Sequence, residues 1–269
     1  MTNIIRGNFQ SHPFHLVSPS PWPIYTCISL MALTTSFVLM INKFTYVNNF
    51  LFLAFVAVII SMSFWWRDVV SEGTYLGDHT LAVQRGLYMG IALFIISEAL
   101  FFLAIFWTFF HSALAPNIEV GTKWPPMGVS SINPFELPLI NTILLLSSGI
   151  TVTYGHHSLI HAHRNGVLHG LFWTVLIAIF FTYFQSVEYL DSTYTLSDST
   201  FGSCFYFGTG FHGFHVIIGT AFIAVGLWRC LSYQPTENHH LGLESSILYW
   251  HFVDVVWLFL FVSIYYWGS

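Results

Sequence analysis

The chain has 269 residues, of which 55% are hydrophobic and 7% are Asp, Glu, Lys or Arg, with a formal net charge of −5. A water-facing domain carries about 25% charged residues, so this composition excludes a soluble enzyme and a disordered chain. Seven basic residues also form no patch for nucleic-acid phosphates. The mean hydropathy of +0.67 adds to the case for a polytopic membrane protein.

A hydrocarbon core of about 30 Å takes roughly 20 apolar helical residues, and seven such runs lie between the charges. They cover Pro23 to Ile41, Phe50 to Trp66, Gly86 to Phe110, Leu139 to Tyr154, Val167 to Tyr189, Phe201 to Trp228 and Ile247 to Trp267. The fourth is short and is expected to continue to about Ile160. The runs are too long for barrel strands and lack their alternation. The expected architecture is all-α: a single polytopic domain over 1–269, with helices 1–2 at about 23–66 and helices 3–7 at about 81–267.

Ahead of the first run, HPFHLVSPSPWP holds prolines that prevent a continuous amphipathic helix, so it resembles neither a transit peptide nor a cleaved signal. Past the second run, WWRDVVSEGTYLGDHT combines interfacial tryptophans with Arg67, Asp68, Glu72, Asp78 and His79. Aromatic rings at headgroup level beside a guanidinium can hold a phospholipid head group. An ordinary aromatic belt with a flanking arginine is the plainer alternative.

Glu98 lies about twelve residues into the third run, roughly 18 Å deep at 1.5 Å per residue. An ionised carboxylate there costs several kcal/mol, so it is expected to be protonated or paired. It is the one acid read as mid-membrane, with no partner visible in the sequence. A structural role is favoured over a proton relay.

Fourteen histidines raise a metal hypothesis. His156, His157, His161 and His163 cluster at the end of the fourth run; His212 and His215 lie within the sixth; His239 and His240 follow it. Imidazole suits iron, and the alternative function drawn from these boxes is a di-iron membrane oxygenase or desaturase. The groups fall at different depths, however, and interfacial histidines bonding loop carbonyls are the simpler expectation. In the sixth run Gly208, Thr209, Gly210 and Gly213 suit close helix packing. His251 and Asp254 share a face at the start of the last run, where a hydrogen bond between neighbours is expected. Cys27, Cys204 and Cys230 are too far apart for a disulfide framework or a thiolate metal site.

Counting loops alternately places Arg6, Arg67, Arg85, Arg164 and Arg229 on the N-terminal side and Lys43 and Lys123 on the other. The positive-inside rule then puts the N-terminus in the cytoplasm or mitochondrial matrix and the C-terminus outside.

The strings LFIISEALFFLAIFWTFFHSALAP, WPPMGV, ELPLINTILLLSSG, YGHHSLI, GTGFHGFHVIIGT and YWHFVDVVWLFLFVSIYYWGS, with WWRDVVSEGTYLGDHT above, are similar to the subunit 3 family of cytochrome c oxidase, in its mitochondrial, fungal form. The resemblance runs from HPFHLVSPSPWP to Ser269. It implies seven helices, the first two splayed from a five-helix bundle around a lipid-filled cleft. It also implies a non-catalytic subunit of a terminal respiratory oxidase that passes electrons from cytochrome c to oxygen and pumps protons. The implied role is to stabilise the catalytic subunit, support proton uptake and hold phospholipids, in the mitochondrial inner membrane.

By the same resemblance, haem a and copper reside in partner subunits and the chain holds no metal of its own. The implied partners are the catalytic subunit 1, subunit 2, accessory subunits and a supercomplex with the cytochrome bc1 complex. The bound lipids would be phosphatidylglycerol, phosphatidylethanolamine or cardiolipin. Glu98 matches the family's intramembrane glutamate, Trp66, Arg67, Glu72 and His79 match its head-group region, and Arg229 matches a basic residue at the inner end of span six. Tyr88 departs from the arginine typical of animal relatives, so any phosphate contact made by that arginine is in doubt here.

Overall fold

The computed structural model describes residues 11–268; Arg6, used above for sidedness, lies outside them. Among the described residues there is no strand, and seven helices are long and apolar enough to cross a membrane. They are α1 (Trp22–Ile41), α2 (Val47–Ser71), α3 (Leu81–Leu114), α4 (Leu137–Ile160), α5 (Arg164–Asp191), α6 (Thr200–Leu231) and α7 (Leu241–Leu260). π-Helical turns continue α2 over Glu72–Leu76 and α7 over Phe261–Trp267.

The helices outrun the apolar stretches. α3 starts at Leu81 instead of Gly86, and α7 starts at Leu241 instead of Ile247. Hydropathy marks only the segment that matches the hydrocarbon core, whereas backbone hydrogen bonding carries a helix on into the polar interface. The added turns hold polar side chains with partners: Gln84 Nε2 donates to the His79 carbonyl, and the Tyr88 hydroxyl donates to Glu244 Oε1 at 3.2 Å. α4 ends at Ile160, the point to which the fourth run is expected to extend.

The chain forms two compact units, one ending at Leu87 and the other starting at Tyr88. In the first, α1 buries Thr26 and Ser36, and α2 buries Ala54, Val58 and Ser61. Lipid is as apolar as leucine, so small residues that let backbones approach are what hold two such helices together. Trp22 opens α1, with its indole stacked on Phe64 at 4.9 Å and its N–H donating to Asp68 Oδ2 at 2.5 Å.

In the second unit α4 and α5 come closest where Gly155 meets Gly170. A Cβ on Gly170 would stand 2.7 Å from Gly155 Cα and 2.7 Å from the Thr151 carbonyl oxygen. Thr151 and Thr174 join hydroxyls across the same contact at 2.8 Å. α7 is the most buried helix. Its Trp250 and Trp257, both fully enclosed, donate to Ser148 Oγ and Thr142 Oγ1 of α4, each at 2.9 Å. The register steps up along α7 as it steps down along α4, as antiparallel neighbours require. Of the small residues singled out in α6, Gly208 and Thr209 are packed, but Gly213 faces open space.

Candidate functional site

The head-group residues predicted around the end of α2 share the first unit. Trp66 is exposed at the end of the apolar stretch. Arg67 Nε and Nη2 both donate to Asp68 Oδ1, at 3.1 and 2.9 Å, and the guanidinium lies 5.0 Å from the Phe64 ring centre. Asp68 therefore holds one edge of a guanidinium that is otherwise open, with 63% of the side chain exposed. A phosphate arriving here meets a partly neutralised arginine flanked by Trp66, not a bare cation.

Glu72 opens the π-helical turn, and Gly77, in the left-handed conformation at φ 70°, ends it. The chain then reverses and lays His79 against Gly73; a Cβ on Gly73 would stand 2.7 Å from His79 Nδ1. Arg229 belongs to the second unit, near the end of α6, where its Nε donates to Gln234 Oε1 at 3.0 Å.

Glu98 has a partner that the sequence did not disclose. His215, 117 positions along the chain on α6, places Nε2 at 3.0 Å from Glu98 Oε2. The other ring nitrogen, Nδ1, is 2.9 Å from the Phe211 carbonyl oxygen. A carbonyl only accepts, so Nδ1 carries a hydrogen and Nε2 is left to share one with the glutamate. The pair is neutral overall in both arrangements: carboxylic acid donating to imidazole, or imidazolium donating to carboxylate. This is how a membrane interior accommodates the acid. Phe102 meets the His215 ring edge-on and Phe211 lies tilted against it, while Tyr249 lies nearly parallel to it at 6.1 Å.

Glu98 is also not the lone acid within the spans. Glu188 on α5 is buried; its Oε1 accepts from the Tyr265 hydroxyl at 2.6 Å and from Gln185 Nε2 at 3.2 Å, while Oε2 has no partner among the described residues. Gln185 Oε1 in turn accepts from Asn141 Nδ2 at 3.4 Å. The signal was present as Gln185 and Glu188 three apart on one helical face. Asp254 is buried as well and sits well inside α7, not at its start, because that helix begins six residues early. His251 Nδ1 stands 3.9 Å from Asp254 Oδ2, and its Nε2 lies 3.3 Å from Thr153 Oγ1.

The histidine boxes do not all converge: the rings of His156 from the first and His240 from the third lie 5.5 Å apart, whereas His212 and His215 of the second bond elsewhere. His212 Nε2 donates to the Val253 carbonyl at 3.1 Å, His215 serves Glu98, and His240 Nδ1 donates to the Thr236 carbonyl at 3.0 Å. The rings of these three make hydrogen bonds to carbonyls and to one acid. Among the described residues the one group at metal-ligand spacing is His15, Glu72 and His79, which includes none of the box histidines.

The family model described as "Cytochrome c oxidase subunit III" matches residues 12–269. The chain is 66% identical over 269 residues to cytochrome c oxidase subunit 3 of Podospora anserina, covering 100% of each. Against the subunit 3 of Neurospora crassa the identity is 62% over 269 residues, again 100% of each. With that of Yarrowia lipolytica it is 53% over 267 residues, 99% of this chain and 100% of the relative.

Proposed function

The chain belongs to the cytochrome c oxidase subunit III family, and from that premise we propose that it works as a single polytopic, non-catalytic core domain of the haem–copper terminal oxidase in the mitochondrial inner membrane, with its N-terminus in the matrix. The match over the whole chain, with seven apolar helices, carries this reading. Haem a and copper reside in partner subunits; the partners are the catalytic subunit 1, subunit 2 and accessory subunits, and the oxidase joins a supercomplex with the cytochrome bc1 complex. The arginines at the ends of α2 and α6 support the matrix-side orientation.

Two finer roles are part of the proposal. Trp66, Arg67, Glu72 and His79, with Arg229, hold phospholipid head groups (phosphatidylglycerol, phosphatidylethanolamine or cardiolipin). The half-neutralised Arg67 beside exposed Trp66 supports this. Glu98 and His215 keep one exchangeable proton inside the membrane. Their 3.0 Å contact and the fixed Nδ1–H support a part in proton uptake.

The test is to isolate the complex in mild detergent, record a reduced-minus-oxidised spectrum, and count iron and copper before and after this chain is separated. Haem a and copper that stay with the partners support the proposal. Iron that stays with the separated chain would instead establish the di-iron alternative.

A further inference from the structure

The N-terminal segment and the α2–α3 connection converge on a cluster that the lipid reading uses only in part. The segment is tied down at two points. The Pro13 carbonyl accepts from Thr80 Oγ1 at 2.5 Å, and Trp22 is bonded to Asp68. Between these ties His15 turns inward, with 14% of its side chain exposed and Nε2 at 3.6 Å from Asp78 Oδ2. From the other side the π-helical turn presents Glu72, and the reversal at Gly77 returns His79, whose ring centre is 5.9 Å from that of His15. One ligand atom from each of His15, Glu72 and His79 lies within 4.8 Å of the other two.

We infer that His15, Glu72 and His79 form a zinc site that clamps the N-terminal segment across the α2–α3 connection. Two imidazoles and one carboxylate make a borderline donor set. It suits Zn2+, whereas calcium and magnesium take mainly oxygen ligands. Ligand atoms around a tetrahedral zinc, with bonds of about 2.0–2.2 Å, stand roughly 3.3–3.5 Å apart. In this set the ligand atoms already lie within 4.8 Å of one another, little more than an ångström beyond that spacing. Asp78 places a second carboxylate next to His15, where metal-bound histidines commonly have one. The ligands come from two separate stretches of chain, His15 from the N-terminal segment and Glu72 and His79 from the α2–α3 connection, so zinc bound here stabilises that arrangement by mass action. This departs from the expectation that the chain holds no metal. It shares Glu72 and His79 with the proposed head-group contact but does not rest on it.

The experiment uses the intact oxidase complex, stripped with a chelator, dialysed against Zn2+ alone and counted for zinc and phospholipid. The expected result is that wild type binds about one zinc more per complex than His15→Ala or His79→Ala. His15→Ala should leave the phospholipid count unchanged, while Arg67→Ala should lower it and keep the zinc. Zinc counts equal in wild type and His15→Ala overturn the site. Because a variant can fail to assemble, a second measurement needs only wild type: carbethoxylation of His15 and His79, read by peptide mass spectrometry with and without Zn2+. Zinc should slow modification of both several-fold relative to His111, and unchanged rates overturn the inference.

Discussion

At the residue scale, the Glu98–His215 contact makes a sharp prediction. In Glu98→Gln the amide NH2 donates to His215 Nε2 while Nδ1–H stays on the Phe211 carbonyl, so the bond survives with no shared proton. The complex should assemble at wild-type yield, and the infrared band that shifts with this proton should vanish. Failure to assemble would show that the charge-bearing form is needed. His215→Leu removes the partner and leaves a half-buried carboxyl in the apolar membrane interior without it, at a cost of about 1–3 kcal/mol. That variant should lose haem absorbance at lower temperature than Glu98→Gln, and the reverse order would contradict the pairing.

Asp198 offers a pH test outside the spans, in the loop before α6. Its carboxyl accepts from the Thr195 backbone N–H at 2.7 Å, and that bond holds it below the ordinary carboxylate range. A lowered folded value means the bond stabilises the loop above the unfolded value, about 4, and fades as pH falls through the folded one. Proteolytic nicking of this loop should therefore rise in acid in wild type. In Asp198→Asn, which has no carboxylate to titrate, the rate should be independent of pH; a parallel acid rise would refute this.

At the element scale, the α4–α5 crossing depends on two glycines facing each other. Gly170→Ala pushes its methyl against Gly155 and the Thr151 carbonyl, both backbone, so no side chain can yield. Overpacking of this kind costs about 1–3 kcal/mol. Thermal loss of the complex should come earlier, whereas Gly213→Ala, which meets nothing, should be neutral. The opposite ranking would mean the crossing is looser than described. α6 ends in a cap made by another helix. Arg164 Nη2 donates to the Leu231 carbonyl at 3.1 Å, Nη1 donates to the Tyr233 hydroxyl at 2.7 Å, and the guanidinium covers that ring. Such a cation at a helix C-terminus is worth about 0.3–2 kcal/mol. Arg164→Gln should speed hydrogen exchange in the last turn of α6 and leave α7 unchanged.

At the scale of the whole molecule, function lies in assembly. The two compact units bury few charged groups, and most of the exposed surface of the helices is apolar. Such a surface is fit for lipid and for other membrane chains. Isolating the complex in mild detergent and counting its metals therefore tests the proposed function at the level of the assembly.

The sequence by itself determined the number of spans, and with it the membrane class, because twenty-odd apolar residues between charges leave the backbone one way to satisfy itself in lipid. Its long motifs also determined the family. The depth of Glu98 followed from counting residues along one helix. Its partner did not, and neither did the burial of Glu188, the indole bonds of Trp250 and Trp257, or the meeting of His15 with Glu72 and His79. Those depend on how each helix is rotated about its axis and where each connection returns. In a soluble protein a polar face announces that rotation. Here lipid and bundle interior are equally apolar, so the helices are greasy all round and sequence leaves the buried face unspecified. Only the tertiary structure decides it, by bringing small residues and the few polar side chains to face one another.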